Sequence, residues 1–296
     1  MSLLRLVLIF ILSLAAMAGA SAQDAAPVKV VASFSIIGDL VKQVGGARTD
    51  VAVLVGPNAD MHGFAPGPAE IRMLRNAKLV VINGLGFEGW ADRLLKSSGF
   101  KGQPLVASRG LKALPAVAED HGRYDPHAWH DVANVKRYVE NIRDALIAVD
   151  PDGHATYEAN AARYTSELDA LERDIKAAFA PIPRGQRKVI TSHDAFTYYG
   201  AAYDVSFLAA QGVGNEAQPS AKRLAELIRQ IKREQVGAVF LENMSDRRVI
   251  DQVVRETGAR IGGTLYSDAL SDQGGPAPTY IAMMRHNTTL IAGSLK

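Results

Sequence analysis

The chain has no cysteine among its 296 residues. Disulfide bonds, thiolate ligands and thiol nucleophiles are therefore excluded, as is a lipid anchor on a cysteine behind an export signal. Any transition-metal site must use nitrogen and oxygen donors. The charges nearly balance, with 33 Lys and Arg against 31 Asp and Glu. No basic run indicates a nucleic-acid or membrane surface, so we expect neither a nucleic-acid partner nor a direct membrane anchor.

Long apolar runs are absent after the N-terminal segment. Arg5 precedes residues 6–14, which are apolar apart from Ser13, and small residues follow as far as Ala22. This order is typical of a secretory signal peptide, and the run is shorter than the roughly 20 residues of a membrane-spanning helix. We predict a signal peptide over residues 1–22, cleaved after Ala22.

Strand-like and helix-like segments alternate in both halves of the chain. Strands alternating with helices imply parallel sheets that are covered on both faces. We predict helix caps at Asp131 and Ser220. The predicted strands are 28–34, 50–55, 79–83, 103–107, 188–191, 236–242 and 260–266, and the predicted helices are 36–44, 68–76, 90–97, 132–149, 221–234, 247–257 and 279–295.

Residues 154–180 form a longer helical pattern between the two halves. Apolar residues recur there at spacings of three and four, at Ala161, Tyr164, Leu168, Leu171, Ile175 and Ala178. A single apolar stripe along a helix of roughly 40 Å fits an ordinary surface helix. Its position midway between the two halves instead favours a helix that joins two lobes, here called the spine helix. We predict an α/β protein with two lobes, each a mostly parallel sheet flanked by helices. The lobes span 27–150 and 184–296, and one long rigid spine helix over 151–183 joins them.

Polar residues with metal-binding chemistry follow several predicted strands. His193 and Asp268 come directly after strands, where parallel sheets bind their ligands, and His62 and His127 stand in loops. Their separation along the chain is unlike the short spacing of zinc fingers, so spacing alone does not assign a common site.

The remaining histidines have simpler explanations. His154 and His286 fit ordinary surface or hydrogen-bonded positions on helices. His121, in a polar loop, fits a solvated residue that assists metal loading at most. His130 lies one helical turn after His127, and we interpret it as a neighbour of the site rather than a ligand.

A series of sequence blocks resembles the cluster A-I solute-binding proteins, which bind zinc or manganese for ABC importers. The strongest are GPNADMH at 56–62, DPHAW at 125–129, TSHDAF at 191–196 and YSDAL at 266–270, with further blocks at 31–34, 37–39, 198–199, 219–221, 240–242 and 280–287. The resemblance runs from about Val28 to the C-terminus. It implies two lobes on a rigid helix with metal between them. It places His62, His127, His193 and Asp268 at the four ligand positions.

The resemblance also implies function. The third ligand tends to be histidine in zinc-type members and often glutamate in manganese-type members, so His193 favours the zinc type. We therefore expect a monomeric periplasmic binding protein, not an enzyme, that delivers Zn²⁺ to an importer permease and its ATPase. Residues 118–123 are shorter than the histidine-rich loop of many zinc members, so we expect no separate capture loop.

The donor set agrees with zinc, which accepts imidazole and carboxylate in a tetrahedron, whereas Mg²⁺ and Ca²⁺ prefer six or more oxygens. Imidazole ligands need their second nitrogen held. The candidates for orienting the ligands are Asp60, Asp194, Glu242 and His130. Asp125 is a further candidate, but we favour a capping role for it.

Other functions stay open on the residues alone. A manganese or iron carrier needs only a change of metal, since imidazole also suits other ions. A periplasmic zinc metallochaperone is compatible with the same ligands. A zinc hydrolase needs an open water position and a general base, for which Glu242 is a candidate, but a fourth ligand at Asp268 closes the site. A metal-dependent adhesin fits an exported soluble protein less well.

Overall fold

The computed structural model describes residues 26–116, 124–210, 221–234, 236–244 and 247–295, apart from the side chains of residues 221 and 223. The predicted signal peptide, His121 and the predicted cap Ser220 lie outside these residues. Within the described part of the chain, no helix is long and apolar enough to cross a membrane.

The N-terminal lobe is built on a parallel sheet with strand order β2-β1-β3-β4. The central strand β1 is buried from Val30 onward, as expected of a strand with helices on both faces. The predicted strand 103–107 is reduced to two residues. The strands are β1 (Val28–Phe34), β2 (Thr49–Val55), β3 (Leu79–Ile82) and β4 (Leu105–Val106), and the helices are α1 (Ser35–Gly45), α2 (Pro68–Arg75), α3 (Ala91–Ser98) and α4 (Val132–Val149).

The C-terminal lobe repeats this plan with strand order β6-β5-β7-β8, again all parallel. Two of its elements were not predicted: the short helix α6, and the edge strand β6, which is only partly buried and lacks the buried apolar run of β5. The strands are β5 (Lys188–Thr191), β6 (Ser206–Ala209), β7 (Ala238–Glu242) and β8 (Arg260–Leu265), and the helices are α6 (Thr197–Tyr203), α7 (Ala221–Glu234), α8 (Arg247–Thr257) and α9 (Tyr280–Ser294).

The long helix α5 (His154–Phe179) lies against both lobes. It packs on α1 and α4 of the N-terminal lobe and on α9 of the C-terminal lobe. Its buried stripe matches the predicted one in the middle, but it begins one turn earlier at Tyr157 and ends at Phe179 instead of the partly buried Ala178. The predicted fold class is therefore confirmed, as is the cap of α4, where the side chain of Asp131 accepts a hydrogen bond from the Ala133 amide.

One large apolar core runs through both lobes and includes α5, whereas a smaller cluster lies between β7 and the helices α7 and α8. Buried hydrogen bonds also join the lobes. Trp129 Nε1 donates to the Ser267 carbonyl (2.9 Å), and the Tyr280 amide at the start of α9 donates to Asp39 Oδ2 (2.8 Å). The lobes are thus held against each other by bonds as well as by the spine.

Candidate metal centre

The structure brings His62, His127, His193 and Asp268 together between the two sheets. His62 lies on the loop between β2 and α2, and His127 precedes the short turn that leads into α4. His193 and Asp268 follow β5 and β8 within three residues. One potential donor atom from each residue lies within 4.8 Å of the others, so a single small cation can contact all four.

Asp268 occupies the centre of this cluster. Its Oδ2 lies 3.1 Å from His193 Nε2 and 3.2 Å from His62 Nε2, and its Oδ1 lies 3.5 Å from His127 Nε2. Within the described residues, His62 Nε2, His127 Nε2 and Asp268 Oδ1 are buried without a hydrogen-bond partner. Buried polar atoms are normally satisfied, and a bound cation would satisfy all three.

The four residues differ in their access to solvent. His127, His193 and Asp268 have no exposed surface, whereas the side chain of His62 is 12% exposed. Of the four residues, His62 is therefore the one through which the described part of the chain leaves the site in contact with solvent.

Two carboxylates hold the histidine rings from behind. Glu242 Oε2 lies 2.6 Å from His193 Nδ1, and its Oε1 accepts a hydrogen bond from the His193 amide (3.0 Å). Asp125 Oδ1 lies 2.8 Å from His127 Nδ1 and also accepts from the His127 amide. Each contact occupies Nδ1 and leaves Nε2 facing Asp268, which is the usual way to orient an imidazole ligand.

The sequence favoured a capping role for Asp125 over an orienting one, whereas its side chain both accepts from the His127 amide and contacts the His127 ring. Asp60 and Asp125 each stand two residues before a histidine and each accept from its backbone amide, but only Asp125 also contacts the ring. Because both residues occur in the same Asp-x-His spacing, the sequence offered no reason to prefer Asp60 over Asp125 as an orienting residue. The direction of the ring, which decides between the two roles, depends on tertiary packing.

Two other predicted orienting residues make different contacts. Asp194 accepts a hydrogen bond from the Thr197 hydroxyl at the start of α6 (3.3 Å). His130 is fully buried, its ring packs on Phe196 with centroids 4.5 Å apart, and neither ring nitrogen has a hydrogen-bond partner among the described residues. Burial, aided by His127, lowers the pKa of His130 to about 3. It is therefore a neutral imidazole near the site.

The ring of Phe87, which the sequence analysis missed, lines the N-terminal side of the site. Phe87 stands edge-on to His62 and His127, with centroid distances of 5.2 and 5.7 Å. Its loop has positive φ angles at Gly84, Leu85 and Gly86. The carboxylate of Glu88 fixes this loop by accepting from the amides of Asn83 and Gly84. The Gly-x-Gly spacing was the available signal for such a turn.

The charges at the centre form a coupled pair. Burial disfavours a charged His193, but the nearby carboxylates of Glu242 and Asp268 outweigh it and raise the pKa of His193 well above its usual value. Burial also disfavours a charged Asp268, but His193 and His127 hold the pKa of Asp268 well below its usual range. In the metal-free protein the site therefore carries a proton on His193 beside an ionised Asp268.

Comparison with known proteins shows the family. The family described as "Zinc-uptake complex component A periplasmic" matches residues 30–294. The manganese-binding lipoprotein MntA of Halalkalibacterium halodurans is 34% identical over 274 residues, covering 92% of this chain and 90% of its own. The iron-binding protein YfeA of Yersinia pestis is 33% identical, covering 95% of this chain and 91% of its own.

A solved structure agrees in fold. The periplasmic zinc-binding protein TroA from Treponema pallidum superposes with a TM-score of 0.86 at 26% identity, covering 92% of this chain and 99% of its own. These three proteins carry the names of three different metals, so the predicted zinc-type subgroup does not follow from the family. The chain belongs to the zinc-uptake component A family of divalent-metal-binding proteins, which act outside the cytoplasm as substrate-binding components of ABC importers and are not enzymes.

Proposed function

We propose that this chain captures Zn²⁺ in the periplasm through His62, His127, His193 and Asp268 and delivers it to the permease of an ABC importer. The observation that carries the proposal is the convergence of three imidazole Nε2 atoms on one carboxylate, with His62 Nε2, His127 Nε2 and Asp268 Oδ1 buried without a hydrogen-bond partner among the described residues.

The donor set favours zinc. Three neutral imidazoles and one carboxylate make four nitrogen and oxygen donors, which is the number that tetrahedral zinc uses. Manganese is a harder ion, lies lower in the affinity series and prefers more oxygen donors. Glu242 and Asp125 supply negative charge behind two of the rings, which strengthens them as donors to a cation.

A manganese or iron carrier is the second candidate. The names of the manganese-binding and iron-binding relatives favour it. Because these relatives are only about one-third identical, the ligand chemistry of this chain decides our preference for zinc.

Calorimetric titration of metal-free protein with Zn²⁺ and with Mn²⁺ tests the proposal. We expect one tight zinc per chain, retained by the control variant His154→Ala, whose histidine is exposed at the start of α5. His127→Ala should lose tight binding. Tighter binding of manganese would reject zinc as the cargo, and failure to bind either ion would reject the proposed site.

Delivery and export need tests in cells. A strain without this gene should grow poorly in zinc-depleted medium, and the parent gene, but not His127→Ala, should restore growth. The mass of the exported protein tests the proposed signal peptide, since cleavage after Ala22 leaves Gln23 as the first residue. Rescue by His127→Ala would contradict uptake through this site.

A further inference from the structure

Asn58 forms a tie between the lobes beside the metal centre. It lies four residues before His62, with a φ of 53°. Its amide donates to the Leu270 carbonyl (2.9 Å), two residues after Asp268. Its side-chain Nδ2 donates to Asp272 Oδ2 (2.9 Å), and its Oδ1 accepts from Asn243 Nδ2 (3.2 Å). The tie thus joins the loop of one ligand to the loop that follows another.

The position of this tie coincides with the accessible side of the site. The side-chain bonds of Asn58 are exposed, and His62 is the one proposed ligand whose side chain reaches solvent. By contrast, the bonds between Trp129 and Ser267 and between Ser35 and Leu270 are buried. Water can replace exposed hydrogen bonds at small net cost, whereas buried groups lose their partners outright. Of these contacts, the side-chain bonds of Asn58 are therefore the ones that local opening breaks at the lowest cost.

We propose that Asn58 holds the His62 loop closed, and that metal enters and leaves when this tie opens while the lobes stay together. This inference rests on the proposed function. None of the three Asn58 bonds uses a metal-donor atom, so we expect the tie to form with and without metal. Asn58 then sets the rate of exchange in both directions and leaves the equilibrium affinity nearly unchanged.

Asn58→Gly is the first test. Glycine accepts a positive φ and keeps the amide bond to Leu270, so the variant removes only the two side-chain bonds. In stopped-flow measurements with Zn²⁺ and a chromophoric chelator, we expect association and dissociation to accelerate together by about tenfold, with Kd changed by less than about twofold. Arg163→Ala is the control, because Arg163 also makes an exposed tie, to Gln43 on α1, away from the site.

A charge swap separates a specific pair from a general loss of structure. Asn58→Asp places two carboxylates opposite each other and should accelerate exchange more than Asn58→Gly. Adding Asp272→Asn restores an amide–carboxylate pair in the reverse order, and the double variant should return to near the parent rates.

The outcomes are distinct. If the parent binds no stoichiometric zinc, the proposed function and this inference both fail. If the parent binds zinc and Asn58→Gly exchanges at the parent rate, only the inference fails. Faster release with unchanged association and weaker affinity would also overturn it, because the tie would then belong to the loaded state alone. Failure of the double variant to recover would reject the Asn58–Asp272 pair.

Discussion

The two lobes contribute unlike halves to the proposed metal centre. The N-terminal lobe provides His62 and His127 from loops, beside the ring of Phe87. The C-terminal lobe provides His193 and Asp268 from strand ends, both fully buried, with Glu242 directly behind His193. Each half holds one carboxylate behind a histidine ring, Asp125 or Glu242, but the central carboxylate Asp268 belongs to the C-terminal half and the solvent access at His62 to the N-terminal half. The affinity for metal and the rate of metal exchange should therefore depend on different residues of this site.

The largest expected effect among these variants is the loss of His193, the C-terminal histidine. We expect His193→Ala to weaken zinc binding by more than about 100-fold. Loss of a ligand should cost more than loss of a residue that orients one, which typically costs about 10- to 100-fold. His62→Ala should cost less, because water can reach its position from solvent. Asp268→Ala should also cost less, with three histidines and a water holding zinc. Competition with a chromophoric chelator measures all three, and a larger loss for His62→Ala than for His193→Ala would break the comparison.

The next effect concerns the carboxylates behind the ligands. Glu242→Gln should weaken zinc binding by about 10- to 100-fold, since it removes the charge that orients and strengthens His193. Asp60→Asn is the matched control in the other half, because Asp60 accepts from the His62 backbone and not from its ring. Equal losses from the two variants would show that the charge of Glu242 has no special role.

A change of donor type should alter metal preference. His193→Glu adds an oxygen donor in the C-terminal half, so we expect the preference for Zn²⁺ over Mn²⁺ to fall by about tenfold or more. The measurement is competition binding for both ions. The same exchange at the N-terminal His127 is the comparison, and an unchanged preference in His193→Glu would contradict the role given to this position.

Zinc affinity should depend on pH through the C-terminal half. Because the pKa of His193 is raised by Glu242 and Asp268, its proton persists above the usual histidine range and must be displaced by metal. Affinity should therefore rise with pH by up to about tenfold per unit until His193 loses its proton, and fall as pH decreases. The lowered pKa of Asp268 keeps it ionised throughout this window. Calorimetry in buffers of different ionisation heat should detect proton release, which Glu242→Gln should reduce.

The smallest expected effect is on overall shape. The spine packs on both lobes, and buried bonds join them, so a domain-scale hinge is not expected on metal loading. Small-angle scattering of metal-free and zinc-loaded protein should give nearly the same radius of gyration. A clear contraction on loading would mean that the two halves of the site separate as bodies.

Sequence periodicity was sufficient for most of the fold. The predicted helix 132–149 and strand 188–191 coincide with α4 and β5, because each has clear caps or breaks and a sustained pattern. Elements α6 and β6 were missed for different reasons: α6 has only seven residues, whereas β6 is as long as β5 but lies at the sheet edge and is only partly buried. Gly200 illustrates a requirement that apolar periodicity does not show. A Cβ at this position would lie 2.5 Å from the Val205 carbonyl oxygen, so the turn into β6 requires a glycine.

The site was less accessible to residue-level reasoning. Spacing along the chain did not connect His62, His127, His193 and Asp268, and the family resemblance grouped them. The contacts of Asp125 and Phe87 with the rings depend on side-chain directions that only packing determines. Local sequence therefore identified the donors better than it identified the groups that hold them.

The continuity of the apolar core has a consequence for how this protein unfolds. Two lobes with separate sheets commonly melt as independent units. Here a single core passes from β1 through the spine to α9, so neither lobe can lose its packing without exposing the apolar surface of the other. The two lobes should form one cooperative unit. The layer of α7 and α8 rests on its own small cluster, and this layer is the part of the described chain best placed to detach first as a partially unfolded state.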